Sequence, residues 1–70
     1  MSPAPTVKAG RLQMALLRLG WKVKRTTRSH SVLCRPDWPD LVFPFSLRDE
    51  LGPRLLTRMA RLSGLKPGDL

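Results

Sequence analysis

The sequence predicts a small α+β domain, in the order helix, three antiparallel strands, helix, with both helices on one face of the sheet. Three observations predict it. Apolar residues recur every three or four positions near both ends of the chain, the period falls to two in between, and glycine and proline mark the changes. Seventy residues make one domain, taken as 1–70 with a flexible lead-in at 1–5 and a tail at 66–70. A chain of that length buries only about 60% of the surface its unfolded form exposes, so the expected core is thin.

The first helix is expected from about Val7 to Leu19, with Thr6 as N-cap and Leu12, Ala15, Leu16 and Leu19 on one apolar face. Gly20 stands where a C′ glycine belongs, and Trp21 can fold back on the last turn. From Trp21 to Thr27 residues alternate and favour strand, which puts Trp21 and Val23 inward. A turn near Arg28-Ser29 leads to a second strand, roughly His30 to Arg35. Its facing is not legible, because Val32 and Leu33 are adjacent and both apolar. Pro36-Asp37-Trp38-Pro39-Asp40 reads as the next turn. Leu41-Val42-Phe43 follows as a third strand, with Leu41 and Phe43 facing the core and Pro44 ending it.

Phe45 to Leu51 reads as a connecting loop. Gly52-Pro53 then opens a second helix with proline at its first position, and Leu51 and Leu56 have the spacing of a hydrophobic staple. Leu55, Leu56, Met59 and Leu62 are its expected buried face, and Arg54, Arg58 and Arg61 a solvated basic stripe. Gly64 ends the helix, with Leu65 packing back ahead of the polar KPGDL tail.

Charge is distributed unevenly. Residues 1–35 hold eight bases and no acid, whereas residues 36–70 hold five of each, so the whole net charge of +8 lies in the first half. Such a surface favours a polyanion, nucleic acid first and an acidic protein second. The single cysteine excludes a disulfide, and one Cys with one His cannot build a tetrahedral zinc site. No metal or cofactor is therefore expected, and Cys34 reads as a small buried hydrophobe. The opening MSPAPT lacks the apolar core of a signal peptide, and no apolar run approaches the roughly 18 residues of a membrane span. No membrane association is expected, and the chain reads as cytoplasmic.

One stretch concentrates chemistry. His30 is the only histidine, the one side chain that gives and takes protons near neutral pH unperturbed, and Lys22, Lys24, Arg25 and Arg28 crowd its upstream side. RNA carries its own nucleophile in the 2′-hydroxyl, so cleavage requires only a base, an acid and stabilisation of the phosphorane charge. His30 can move a proton, the basic residues can hold phosphate, and Ser29 can hydrogen-bond a phosphate oxygen or cap the turn. Asp37 and Asp40 flank a turn and look structural. A lone histidine at a strand edge is more often an exposed or structurally bonded residue than a catalyst, and a non-catalytic RNA-binding module using the same basic face is the alternative.

From about Val7 to Leu65 the sequence resembles the HicA toxins, small mRNA interferases of bacterial toxin–antitoxin pairs. The likeness rests on a helix ending in Gly20-Trp21, Arg25 before Ser29-His30, Pro36-Asp37 at a hairpin, a strand closed by Pro44, Leu51-x-Pro53 and Gly64-Leu65. It implies a fold like a double-stranded-RNA-binding domain, endoribonuclease activity with His30 catalytic, and a HicB-type antitoxin as partner. Two positions depart from the family's Gly-Ser-His-His: Arg28 replaces the glycine and Ser31 the second histidine. An inactive protein that still binds antitoxin is the reading those departures would favour.

Overall fold

The first helix begins later than its periodicity suggests because the chain enters through a short strand. In the computed structural model, which describes residues 5–28 and 30–70, β1 (Val7–Lys8) pairs antiparallel with β5 (Glu50–Leu51), Val7 opposite Leu51 and Lys8 opposite Glu50. The segment 45–51, read from the sequence as a plain loop, therefore contains a strand. Two residues are too few for an alternating pattern to register. Residues 1–4 of the expected lead-in lie outside the described residues.

Helix α1 (Ala9–Leu19) has Lys8 at its N-cap with no side-chain capping bond. Thr6 does not cap it; its hydroxyl donates to Glu50 at 3.0 Å. The first amides of a helix have no partner within it. Here Ala9 N–H donates to the Asp49 carbonyl at 2.8 Å and Gly10 N–H to the Leu47 carbonyl at 3.0 Å. The 46–49 turn thus does the work expected of Thr6. At the other end Gly20 is left-handed, with φ 118°, and the Gly20 and Trp21 amides close onto Leu17 and Leu16.

The main sheet has the order β2-β3-β4, from β2 (Lys22–Thr26), β3 (Ser31–Arg35) and β4 (Trp38–Phe43). Register resolves the facing of β3. Leu33 lies opposite Val23 on one side and Leu41 on the other, and cross-strand partners share a face. That face meets α1 and α2 (Pro53–Ser63) in one core of Ala9, Leu12, Ala15, Leu16, Trp21, Leu33, Leu41, Phe43, Leu51, Met59 and Leu65. Leu19 and Leu56 are half-buried against it.

Several expectations are corrected here. Val23 shares the core face yet is 44% exposed, because β2 is an edge strand. Cys34 is half-buried rather than buried. The turn into β4 is only Pro36–Asp37, with Asp37 in the left-handed region at φ 70°, and β4 already begins at Trp38. Pro39 fits inside it because β4 is the other edge strand, where a missing N–H breaks no ladder.

The buried face of α2 is rotated from the one the leucines suggest. Leu55 and Leu62 are exposed, whereas Met59 and Ser63 are buried and Leu56 and Ala60 half-buried. Ser63 explains the rotation. Its hydroxyl donates to the Met59 carbonyl at 2.6 Å, and its own carbonyl accepts from Trp21 Nε1 at 3.1 Å and Arg35 Nη1 at 3.4 Å. A buried serine satisfied this way is invisible to a hydrophobic pattern. Past Gly64, left-handed at φ 77°, residues 67–69 wind into one 3-10 turn, and Leu70 packs against the core.

Candidate active site

His30 stands at the end of the β2–β3 hairpin, and hydrogen bonding fixes where. Thr27 N–H donates to the His30 carbonyl at 2.8 Å and the Thr27 hydroxyl donates to the same oxygen at 3.3 Å. These bonds tie Thr27 to His30 across the end of the hairpin. Ser29, expected to contact phosphate, lies outside the described residues. Arg28 occupies the position where the resemblance expects glycine, but its backbone is not left-handed; among the described non-glycine residues only Asp37 is. The hairpin therefore imposes on Arg28 no conformation that an L side chain avoids.

A cleft of about 430 Å³ opens beside this hairpin. Thr26, Thr27, Arg28, His30 and Ser31 of the hairpin, Phe45 to Arg48 of the segment after β4, and Gln13 of α1 line it. Among the described residues the lining thus holds one histidine, two arginines and no carboxylate. Hydroxyl groups of Thr26, Thr27, Ser31 and Ser46 add neutral hydrogen-bonding capacity. Such a cavity suits an anionic ligand whose reacting group lies near an imidazole.

The sequence-predicted basic residues divide. Arg28 lines the cleft with His30, whereas Lys22, Lys24 and Arg25 do not. All three are exposed on β2, in the strand that leads to the hairpin. Lys22 lies opposite Cys34 and Arg25 opposite Val32, on the sheet face turned away from the core. Lys24 reaches across β3 to Asp40 on the far edge, Nζ to Oδ2 at 2.7 Å. This is the one ion pair among the described residues, and it raises the Lys24 pKa through the hydrogen bond first and the Asp40 charge second. Asp40, read from sequence as a turn residue, thus neutralises one of the expected RNA-binding bases.

Sequence reasoning missed Arg48. It belongs to the electrically neutral half of the chain and to a segment read as a loop. No local pattern says that the 46–49 turn folds back beside His30. The signal is tertiary: it comes from the helix amides that seek carbonyls from that turn. A second groove, about 440 Å³ between β4 and α2, has Asp40 and Arg58 as its only ionisable lining residues. It holds no histidine and is set aside as a reaction site.

Fold and cleft together define a class: a small α+β domain presenting one histidine among arginines, suited to a polyanionic ligand. Comparison with protein families then places it more closely. The family model described as HicA toxin of bacterial toxin–antitoxin matches residues 10–65. The chain therefore belongs to the HicA toxin family, whose members are toxins, generally ribonucleases, that pair with an antitoxin. Comparison with curated proteins and with solved structures returned no match. The double-stranded-RNA-binding-domain-like arrangement expected from the resemblance holds, with three antiparallel strands backed by two helices. Among the described residues no helix is long and apolar enough to cross a membrane.

Proposed function

We propose that this protein is a metal-independent endoribonuclease toxin in which His30 carries the proton transfer, and that a HicB-type acidic antitoxin silences it by covering the surface around that residue. One observation carries the reading: His30 and Arg28 line one cleft whose described walls contain no carboxylate. An acid there would repel the phosphodiester and compete for the arginines.

The chemistry is transesterification. The 2′-oxygen attacks phosphorus and its proton leaves to a base; the bond to the 5′-oxygen breaks, and that oxygen takes a proton from an acid. The products are a 2′,3′-cyclic phosphate and a 5′-hydroxyl, with no atom gained or lost. His30 serves one of these transfers, a role worth typically 10²–10⁴-fold. Water serves the other, since Ser31 stands where the family has its second histidine. Arg28 faces the charge that grows on the phosphorane oxygens. Lys22 and Arg25, exposed along β2, draw the strand toward the hairpin by long-range attraction.

The ends of the RNA fragments test the mechanism. Purified protein in EDTA should yield 2′,3′-cyclic phosphate and 5′-hydroxyl termini. Fragments with 5′-phosphate ends, formed only when divalent metal is supplied, would replace this mechanism with a metal-assisted hydrolysis.

A further inference from the structure

We infer that the cleft takes an unpaired RNA strand, gripped by Arg48 of the 46–49 turn that lines the cleft together with His30, with an unstacked base lying on the exposed face of Leu47. This rests on the ribonuclease reading and names the form of substrate for the same site. Arg48 meets three requirements of a phosphate-binding residue. It lines the cleft with His30, no carboxylate among the described residues pairs with its guanidinium, and its backbone is held firmly.

The third point is a matter of four hydrogen bonds. Within the turn, Asp49 N–H donates to the Ser46 carbonyl at 2.9 Å and Ser46 N–H to Asp49 Oδ2 at 2.9 Å. From outside, Leu47 and Asp49 carbonyls accept from the first amides of α1. Arg48 therefore projects from a turn pinned on both sides of it, and pre-organisation of that kind lowers the cost of ordering on binding. Gly10 permits the close approach, since a Cβ there would already stand 3.3 Å from the Leu47 carbonyl oxygen.

Leu47 supplies the choice between paired and unpaired RNA. It is 54% exposed and lines the same cleft, an apolar residue next in sequence to Arg48. Bases inside a duplex have both faces covered by their neighbours and cannot offer one to a protein wall, whereas bases of a single strand can. A volume of about 430 Å³ is of the size that encloses part of one strand and not the width of a double helix. The two lining arginines, Arg28 of the hairpin and Arg48 of the 46–49 turn, then contact the backbone on either side of one nucleotide.

The test measures binding on His30→Ala protein, so that it does not depend on cleavage. The probes are a short unstructured RNA and the blunt duplex of the same sequence. The single strand should bind at least about tenfold more tightly. Arg48→Ala should weaken its binding roughly ten- to a hundred-fold, as for a lost charge-assisted contact, and lower the slope of log affinity against log salt by about 0.7. Arg48→Lys should restore most of the slope and part of the affinity, and Arg61→Ala on α2 should change neither. Leu47→Ala should narrow the preference for single strands without altering the slope. Equal affinity for duplex and single strand, or an Arg48→Ala slope equal to that of the parent, would overturn the inference. If these effects appear but wild-type protein leaves RNA uncut, the catalytic reading fails and the binding site stands.

Discussion

Gly64→Ala should destabilise the domain through two separable effects, and a double-mutant cycle with Trp38 separates them. The first is backbone: Gly64 has φ 77°, and an L residue there costs roughly 1–2 kcal/mol. The second is contact. A Cβ on Gly64 would stand 2.6 Å from Cη2 and 3.0 Å from Cζ2 of the Trp38 indole, so the ring must move. Moving it sacrifices its edge-on packing on Trp21, with centroids 6.0 Å apart, and its place under the Arg35 guanidinium, 5.1 Å from the ring centroid. Those contacts contribute about 0.5–1.5 and 0.5–1 kcal/mol respectively. The whole substitution should therefore cost about 2–4.5 kcal/mol, against a total stability of about 4–10 kcal/mol for a chain of this length.

In a Trp38→Ala background the clash is gone and only the backbone cost remains, about 1–2 kcal/mol. Equilibrium urea unfolding of the four proteins, followed by far-ultraviolet circular dichroism, measures the cycle. The expected signature is a coupling of about 1–2.5 kcal/mol between two positions that lie far apart in sequence. If Gly64→Ala cost the same with and without the indole, within about 0.5 kcal/mol, Trp38 would not be packed on the end of α2. The account of how β4 meets that helix would then be wrong.

Three further outcomes follow from the structure. Trp21→Phe removes the 3.1 Å bond to the Ser63 carbonyl and part of a fully buried indole. It should lower stability by about 1.5–3 kcal/mol, and a shift of less than about 5 °C in Tm would show that this bond does not anchor α2. Because Asp40 raises the folded-state pKa of Lys24, that pair stabilises the fold below pH 10.5 and the contribution disappears as pH rises through the raised value. NMR titration of Lys24 should show the pKa falling in Asp40→Asn, and the same variant should bind RNA with a steeper salt dependence, its lysine now unneutralised. Arg28→Ala should weaken the antitoxin complex by about 2–5 kcal/mol by isothermal titration calorimetry, well beyond Arg61→Ala; equal losses would place the antitoxin elsewhere than over the His30 hairpin.

What the sequence made legible was set by local rules. Gly20 and Gly64 marked the helix ends because the left-handed turn there excludes most side chains, and α1 showed its buried stripe because leucine and alanine supply it. The hairpin carrying His30 was legible through the change of period and the turn residues. What escaped was set by partners distant in the chain. The β1–β5 ladder is too short for periodicity, and Val23 alternates as an inward residue should while lying on an edge strand. The face of α2 turned on Ser63, whose burial depends on hydroxyl and carbonyl bonds rather than on apolarity. At the site the same division holds: His30 and Arg28 were named from their own segment, whereas Arg48 lines the cleft from a turn whose carbonyls accept from the first amides of α1, distant in the chain.

The central claim is that His30 moves the proton that RNA cleavage requires, and a comparison of wild type with His30→Ala tests it most directly. His30 is exposed at a hairpin end, so its truncation should leave the circular dichroism spectrum and unfolding midpoint close to those of wild type. Both proteins are incubated with the same unstructured RNA in EDTA near neutral pH, and initial rates are compared under single-turnover conditions. The rate should fall by about 10²–10⁴-fold in His30→Ala, while affinity for the uncut strand changes little. Folded His30→Ala protein that cleaves at the wild-type rate would contradict the assignment.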